Sequence, residues 1–175
     1  MARTGAEVVW IPVFLAGIMK ATGNQPPAMV PARGIYLSAD SDRWAAFYGV
    51  PFRLSPHFPL NTLTAMRVAC AFAADRPERY RAFVTACFRA AWVDGIDLND
   101  RAALTSLVAA DDRAFVTEAM DAPQYKEALK KNTEEAVAAG AFGVPSFVIG
   151  KEELFFGNDR IDLLAWRLTK GTAAR

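Results

Sequence analysis

Along the chain the apolar positions change period twice, and the changes mark out its elements. Glu7–Phe14 is a near-continuous apolar run through Val8, Val9, Trp10, Ile11 and Val13, the pattern of a buried strand. Gly17–Pro31 loses that pattern. Gly23-Asn24 and Pro26-Pro27 punctuate it as a loop with a brief helical turn. Gly34–Tyr48 reads as a helix stopped at Gly49, and Phe52–Pro59 as an extended link broken by prolines. A helical period then takes over. Asn61 is placed to cap a helix whose apolar face is Leu63, Met66, Cys70 and Ala73. Pro77 opens the next helix, with Tyr80, Phe83, Val84, Cys87, Phe88 and Ala91 spaced as one amphipathic stripe. The spacing assigns the methionine and aromatic stripes of this middle region to core packing. Arg101–Ala109 and Asp112–Met120 read as shorter helices, and Pro123–Ala139 as a longer one closed by Gly140.

The second change falls in the segment GAFGVPSFVIGKEELFFGNDR, from Gly140 to Arg160. Pro145 keeps Val144 out of helical dihedrals and removes a backbone donor, and a Val-Pro bond can be cis. Ser146 to Ile149 reads as a short apolar strand. Leu154 to Phe156 is its hairpin partner across Gly150, Lys151, Glu152 and Glu153. Asn158 stands where a helix cap belongs, ahead of Ile161, Leu164 and Leu168. Helix, Val-Pro step, hairpin and helix together form the C-terminal half of a thioredoxin-like domain. The expected architecture is a single α/β domain. Residues 1–31 and 121–169 form its thioredoxin-like part, 32–120 an all-helical insertion, and 170–175 a loose tail.

Composition adds limits. With 175 residues, 53% hydrophobic and 22% charged, the chain can bury a substantial core. Twenty basic and 19 acidic residues leave a net charge of +1, so no general attraction to nucleic acid or an anionic membrane is implied. The apolar start superficially resembles a signal peptide. Glu7 and Pro12 interrupt it, however, and Val8–Met19 is too short to cross a bilayer. A cytoplasmic protein is expected. Cys70 and Cys87 read as two buried thiols on amphipathic helices, which suits a reducing compartment. His57 is the lone histidine and reads as a loop or packing residue. The sequence has no metal-ligand cluster, phosphate-cradling glycine loop or nucleophile elbow.

Three blocks carry a resemblance: GIMKATGNQPPAMVPARGIYLSADSDRWA from Gly17, HFPLNTLTAMR from His57, and the Gly140–Arg160 segment. In that order they resemble the 2-hydroxychromene-2-carboxylate isomerases and kappa-class glutathione transferases. The resemblance implies glutathione as cofactor, held by Asn24, Val144, Asn158 and Asp159, and a small aromatic acid substrate bound with the help of Lys20. The residues suit those roles. A cis Val144-Pro145 would turn the main chain of Val144 outward to pair with an extended peptide. A helix start at Asn158-Asp159 offers free N–H groups to a carboxylate and an acid to an ammonium, the two charges of a γ-glutamyl group. The implied activity is glutathione-dependent isomerisation of 2-hydroxychromene-2-carboxylate. Its alternatives are a kappa-class transferase or peroxidase and an inactive remnant. A homodimer is expected from the family, with neither nucleic acid nor membrane as partner.

The family's chains begin with a strand and helix whose serine activates the glutathione thiol. This sequence matches from the end of that helix, so the central strand and first helix are expected to be missing and the start to lie upstream. No residue here matches the serine, and none of Ser38, Ser41 or Ser55 stands in the right context. The catalytic residue is therefore left unassigned. A disulfide oxidoreductase would carry its cysteine pair in the same missing segment.

Overall fold

Prolines and glycines set the limits of the helices. The computed structural model describes residues 4–150 and 153–170. Its order is α1 (Leu15–Thr22), a 3-10 turn at Pro27–Met29, α2 (Pro31–Tyr48), α3 (Leu63–Asp75), α4 (Pro77–Arg89), a π-helical turn at Ala90–Asp94, α5 (Arg101–Ser106), α6 (Ala110–Ala119), α7 (Pro123–Ala138), β1 (Ser146–Ile149), β2 (Glu153–Phe156), a 3-10 turn at Asn158–Arg160 and α8 (Ile161–Thr169). Proline occupies the first turn of α2, α4 and α7, where its missing N–H costs nothing. Gly23 and Gly49 close α1 and α2 in the left-handed conformation. The loose tail expected at residues 170–175 lies outside the described residues except for Lys170, and so do Lys151 and Glu152 of the hairpin turn.

The core sits in the helical middle. α3 packs on α4, α6 and α7, so it is enclosed on more than one side, and Val68 through Phe72 are all buried. The sequence reading placed α3's apolar face on Leu63, Met66, Cys70 and Ala73. Of these only Cys70 is buried, because several helices surround α3 and a single stripe underestimates what is covered. Phe72 stacks on Phe83 at 4.8 Å and meets Phe115 edge-on at 5.2 Å. On α4, Phe83 and Cys87 are buried while Phe88 is 62% exposed. Successive helical residues point about 100° apart, and Phe88 lies one step past the buried stripe. The expected cap at Asn61 is displaced by one residue: Thr62 holds the cap position of α3 without a side-chain cap, and Asn61, just before it, accepts the Leu63 N–H at 3.2 Å.

Two expectations are corrected. Glu7–Phe14 is not a strand: among the described residues it pairs with no other strand, and the sheet consists of β1 and β2 alone, antiparallel with Phe147 opposite Phe155. A strand needs a neighbour's N–H and C=O groups. Here the segment is instead pinned by side chains, with Asn132 Nδ2 donating to the Pro12 carbonyl at 3.1 Å and the Phe14 N–H donating to Thr133 Oγ1 at 3.0 Å. Trp10 meets the Arg81 guanidinium at 5.7 Å. Gly17–Pro31 is more helical than a loop with a brief turn, since Leu15–Thr22 forms α1 with Ile18 fully buried.

α2 stands apart. None of its 18 residues is buried, and its main neighbour is the Pro27–Met29 turn. It partly supports itself, with Trp44 stacked on Tyr48 at 5.4 Å. Among the described residues no helix is long and apolar enough to cross a membrane.

One acid ties the start of α4 to α6. Asp112 on α6 is only 4% exposed and takes both Arg76 and Arg79, the latter at 2.5 Å, and Arg76 also lies 4.2 Å over the Phe115 ring. The hydrogen bond from Arg79 chiefly holds the Asp112 carboxyl below its usual range. Burial opposes that effect and Arg76 reinforces it. A folded pKa below the unfolded one gives stability that is present above the unfolded value and lost as pH falls through the folded value. The stability gap between the protein and Asp112→Asn, read from urea midpoints, should therefore be full at pH 7 and shrink below about pH 4. A gap unchanged at about pH 3 would mean that the ion pairs are not its source.

Candidate functional site

After α7 the chain turns through Gly140 at φ 88° and runs Ala141, Phe142, Gly143, Val144 into a cis Val144-Pro145 bond and β1. The loop is clamped on both flanks. Ser146 Oγ donates to the Gly143 carbonyl at 2.8 Å, and the Gly157 N–H donates to the Pro145 carbonyl at 3.0 Å. A Cβ on Gly143 would lie 2.8 Å from the Phe156 ring, so glycine lets that ring close on the loop beside Phe142. Between the clamps Val144 is spare. Its N–H and C=O find no hydrogen-bond partner among the described residues, and the residue is 43% exposed.

β2 leads into the second half of the site. Gly157, at φ 101°, turns the chain into the 3-10 turn ahead of α8, and a Cβ there would collide with Asp159 Oδ1. Asn158 is thus the first residue of that turn, and the flanking cap position belongs to Gly157. This corrects the expected cap: at φ 101° the flanking position suits glycine, and no side chain caps the turn. The N–H groups of Asn158 and Asp159 have no partner among the described residues. The Asp159 carboxylate takes Arg160 Nη1 at 2.6 Å and stays about half exposed. Arg167 on α8 pairs with Glu153 on β2, its Nε donating at 2.7 Å, and so holds the helix against the hairpin.

Val144, Asn158 and Asp159 line one cavity of about 430 Å³, together with Phe156. The opposite wall is Tyr36, Asp40 and Trp44 of α2. Tyr36 Oη and Trp44 Nε1 each donate to the Asp40 carboxylate at 3.2 Å, and Arg43 lies 3.8 Å from it. Sequence reasoning missed these three residues, although their spacing of four already places them on one helical face.

Asn24 and Lys20 stand differently. The Asn24 amide donates to the Phe142 carbonyl at 2.8 Å and its oxygen accepts the Gln25 N–H at 2.9 Å. Asn24 therefore fixes the loop two residues before Val144 and keeps one amide proton free. Lys20 is exposed on the last turn of α1 and is not among the residues lining the cavity. Ser41 donates to the Leu37 carbonyl and Ser55 is buried, and neither they nor Ser38 line the cavity. Cys70 and Cys87 are free buried thiols, pushed by burial up to about 11 and about 12, which makes them poor nucleophiles.

The profile of the DSBA-like thioredoxin domain matches residues 1–169. The chain belongs to the DSBA-like thioredoxin domain family. Among its relatives, glutathione S-transferase kappa 1 of Rattus norvegicus is 31% identical over 173 residues, covering 90% of this chain and 75% of the rat protein. The 2-hydroxychromene-2-carboxylate isomerase of Sphingobium xenophagum is 31% identical over 168 residues, covering 93% of this chain and 83% of that protein. A solved structure of a selenomethionine 2-hydroxychromene-2-carboxylate isomerase superposes with a TM-score of 0.79 at 24% identity, over 95% of this chain and 81% of the other. The resemblance read in the three sequence blocks is borne out. This DSBA-like chain has a thioredoxin-like fold that is mostly helical around a small two-stranded sheet, and its relatives are named as enzymes of two kinds at equal identity.

Proposed function

We propose that this protein binds glutathione at the cis-proline loop and acts on a small aromatic acid, as a 2-hydroxychromene-2-carboxylate isomerase. The observation that carries the reading is the unspent main chain of Val144 beside the open N–H groups of Asn158 and Asp159. A tripeptide in extended form needs one donor and one acceptor in line, as an added strand does, and Val144 supplies both. The turn before α8 suits the γ-glutamyl carboxylate, and Asp159 suits its ammonium. Asn24 holds the loop in place and offers its second amide proton. Lys20 draws the substrate's carboxylate. When bound, glutathione supplies a thiol nucleophile that is regenerated at the end of the cycle. Two buried free thiols fit a reducing, cytoplasmic setting, and the protein works as a homodimer.

A second reading, a kappa-class transferase or peroxidase, is favoured by the rat relative at the same identity. Calorimetric titration with glutathione tests the shared part, and saturable binding is expected. Silence at millimolar glutathione would overturn both readings. Turnover of 2-hydroxychromene-2-carboxylate without conjugation of a chlorinated nitrobenzene supports the isomerase, and the reverse supports the transferase.

A further inference from the structure

A second cavity, of about 500 Å³, lies in the crevice between α1, α3 and α7 and shares no lining residue with the site above. Its walls are apolar, built from Phe14, Leu63, Leu129 and Val137. Gly17 keeps it open on the α1 side, where a Cβ would already press on Thr133 Cγ2 at 3.1 Å. Into this apolar space come three cations, Arg67 from α3 and Lys126 and Lys130 from α7. Glu134 is the single acid in the lining. Asp121 also acts on Arg67 and Lys126, but its carboxylate is already held by Arg101 at 2.5 and 3.3 Å.

Among the described residues none of the three cations has an ion-pair or hydrogen-bond partner. The Nε of Arg67 is buried with no acceptor, a costly way to leave a guanidinium. Lys126 and Lys130 stand four apart on one helix face, where like charges repel. An apolar crevice that gathers unpaired positive charge is built the wrong way round for an empty space. It is complementary to a molecule with one anionic end and an apolar body.

We propose that this crevice binds a monocarboxylate with an apolar tail, of the medium-chain fatty-acid class. The carboxylate lies on the Arg67 fork between Lys126 and Lys130, and the tail runs along Phe14, Leu129 and Val137. The proposal does not depend on glutathione binding.

Titration with decanoate, beside neutral 1-decanol, tests it. Decanoate should bind the wild type, and decanol at least about tenfold more weakly, as expected for a charge-assisted fork. Arg67→Met should weaken decanoate by roughly the same factor, with Arg67→Lys recovering most of the loss. Ala21→Phe, which fills the crevice from an exposed helical position, should abolish binding. All three variants should keep the wild-type affinity for glutathione, so failure here and failure of the glutathione reading are distinguishable. If Arg67→Met does not fold, the exposed Lys130→Met carries the same expectation. No decanoate binding by the wild type, decanol binding as tightly as decanoate, or Arg67→Met and Ala21→Phe binding like the wild type would each overturn the proposal. So would a concentration-dependent dimer that decanoate fails to displace from this crevice, since a second copy would then be its occupant.

Discussion

Replacing Asp159 with alanine is expected to weaken glutathione binding by roughly ten- to thirtyfold, about 1.5–2 kcal/mol. A charge-assisted hydrogen bond to an ammonium can be worth somewhat more, but this carboxylate is about half exposed and solvent takes part of the gain. The alanine variant also leaves Arg160 without its carboxylate partner, so its positive charge repels the nearby ammonium. Asp159→Asn keeps the size and removes only the charge, so it should reproduce most of the loss. Isothermal titration of both variants reads the effect directly. Wild-type affinity in both would mean that the γ-glutamyl group is held elsewhere, and the helix-mouth assignment would fall with it.

The largest effect on stability is expected at Phe72→Ala. This side chain is 1% exposed and wedged between the rings of Phe83 and Phe115. Removing it strips the buried ring and leaves a void that three helices cannot easily fill, costing about 3–5 kcal/mol. Against the typical stability of a domain that is a large fraction, equivalent to roughly 6–20 °C in melting temperature for a chain of this size. Thermal melts and urea midpoints measure it. A loss below about 1.5 kcal/mol would mean that α3, α4 and α6 close over the gap. Glutathione binding well below the transition should be unchanged, because no atom of Phe72 reaches the cis-proline cavity.

What could be read from the sequence was the local part of this design. Pro77 and Pro123 announced helix starts, and the Val144-Pro145 step between a helix and an apolar hairpin announced the loop, because those signals act within a few residues. Cys70 and Cys87 were correctly placed in the interior by helical period alone. Non-local facts were harder to see. Glu7–Phe14 has the composition of a strand, but its structure depends on a pairing partner elsewhere in the chain. α1 escaped notice because Gly17 and Gly23 look like loop punctuation, although one serves close packing against Thr133 and the other a helix exit. The site was half legible. Val144, Asn158 and Asp159 do converge, whereas Tyr36, Asp40 and Trp44 became visible only once α2 was seen to face them. Asn24 was marked as a ligand contact, yet part of its amide is spent bracing the loop.

The two sides of the cis-proline cavity are anchored very unequally. The hairpin side is locked by Gly157, Ser146 and the Glu153–Arg167 pair, while the facing helix contributes no buried residue to the interior. Shifting that helix therefore uncovers little oily surface, and the chamber can widen without disturbing the rest of the protein. On the glutathione-binding reading proposed above, a ligand would enter past α2, with the hairpin as a fixed jamb and α2 as the door.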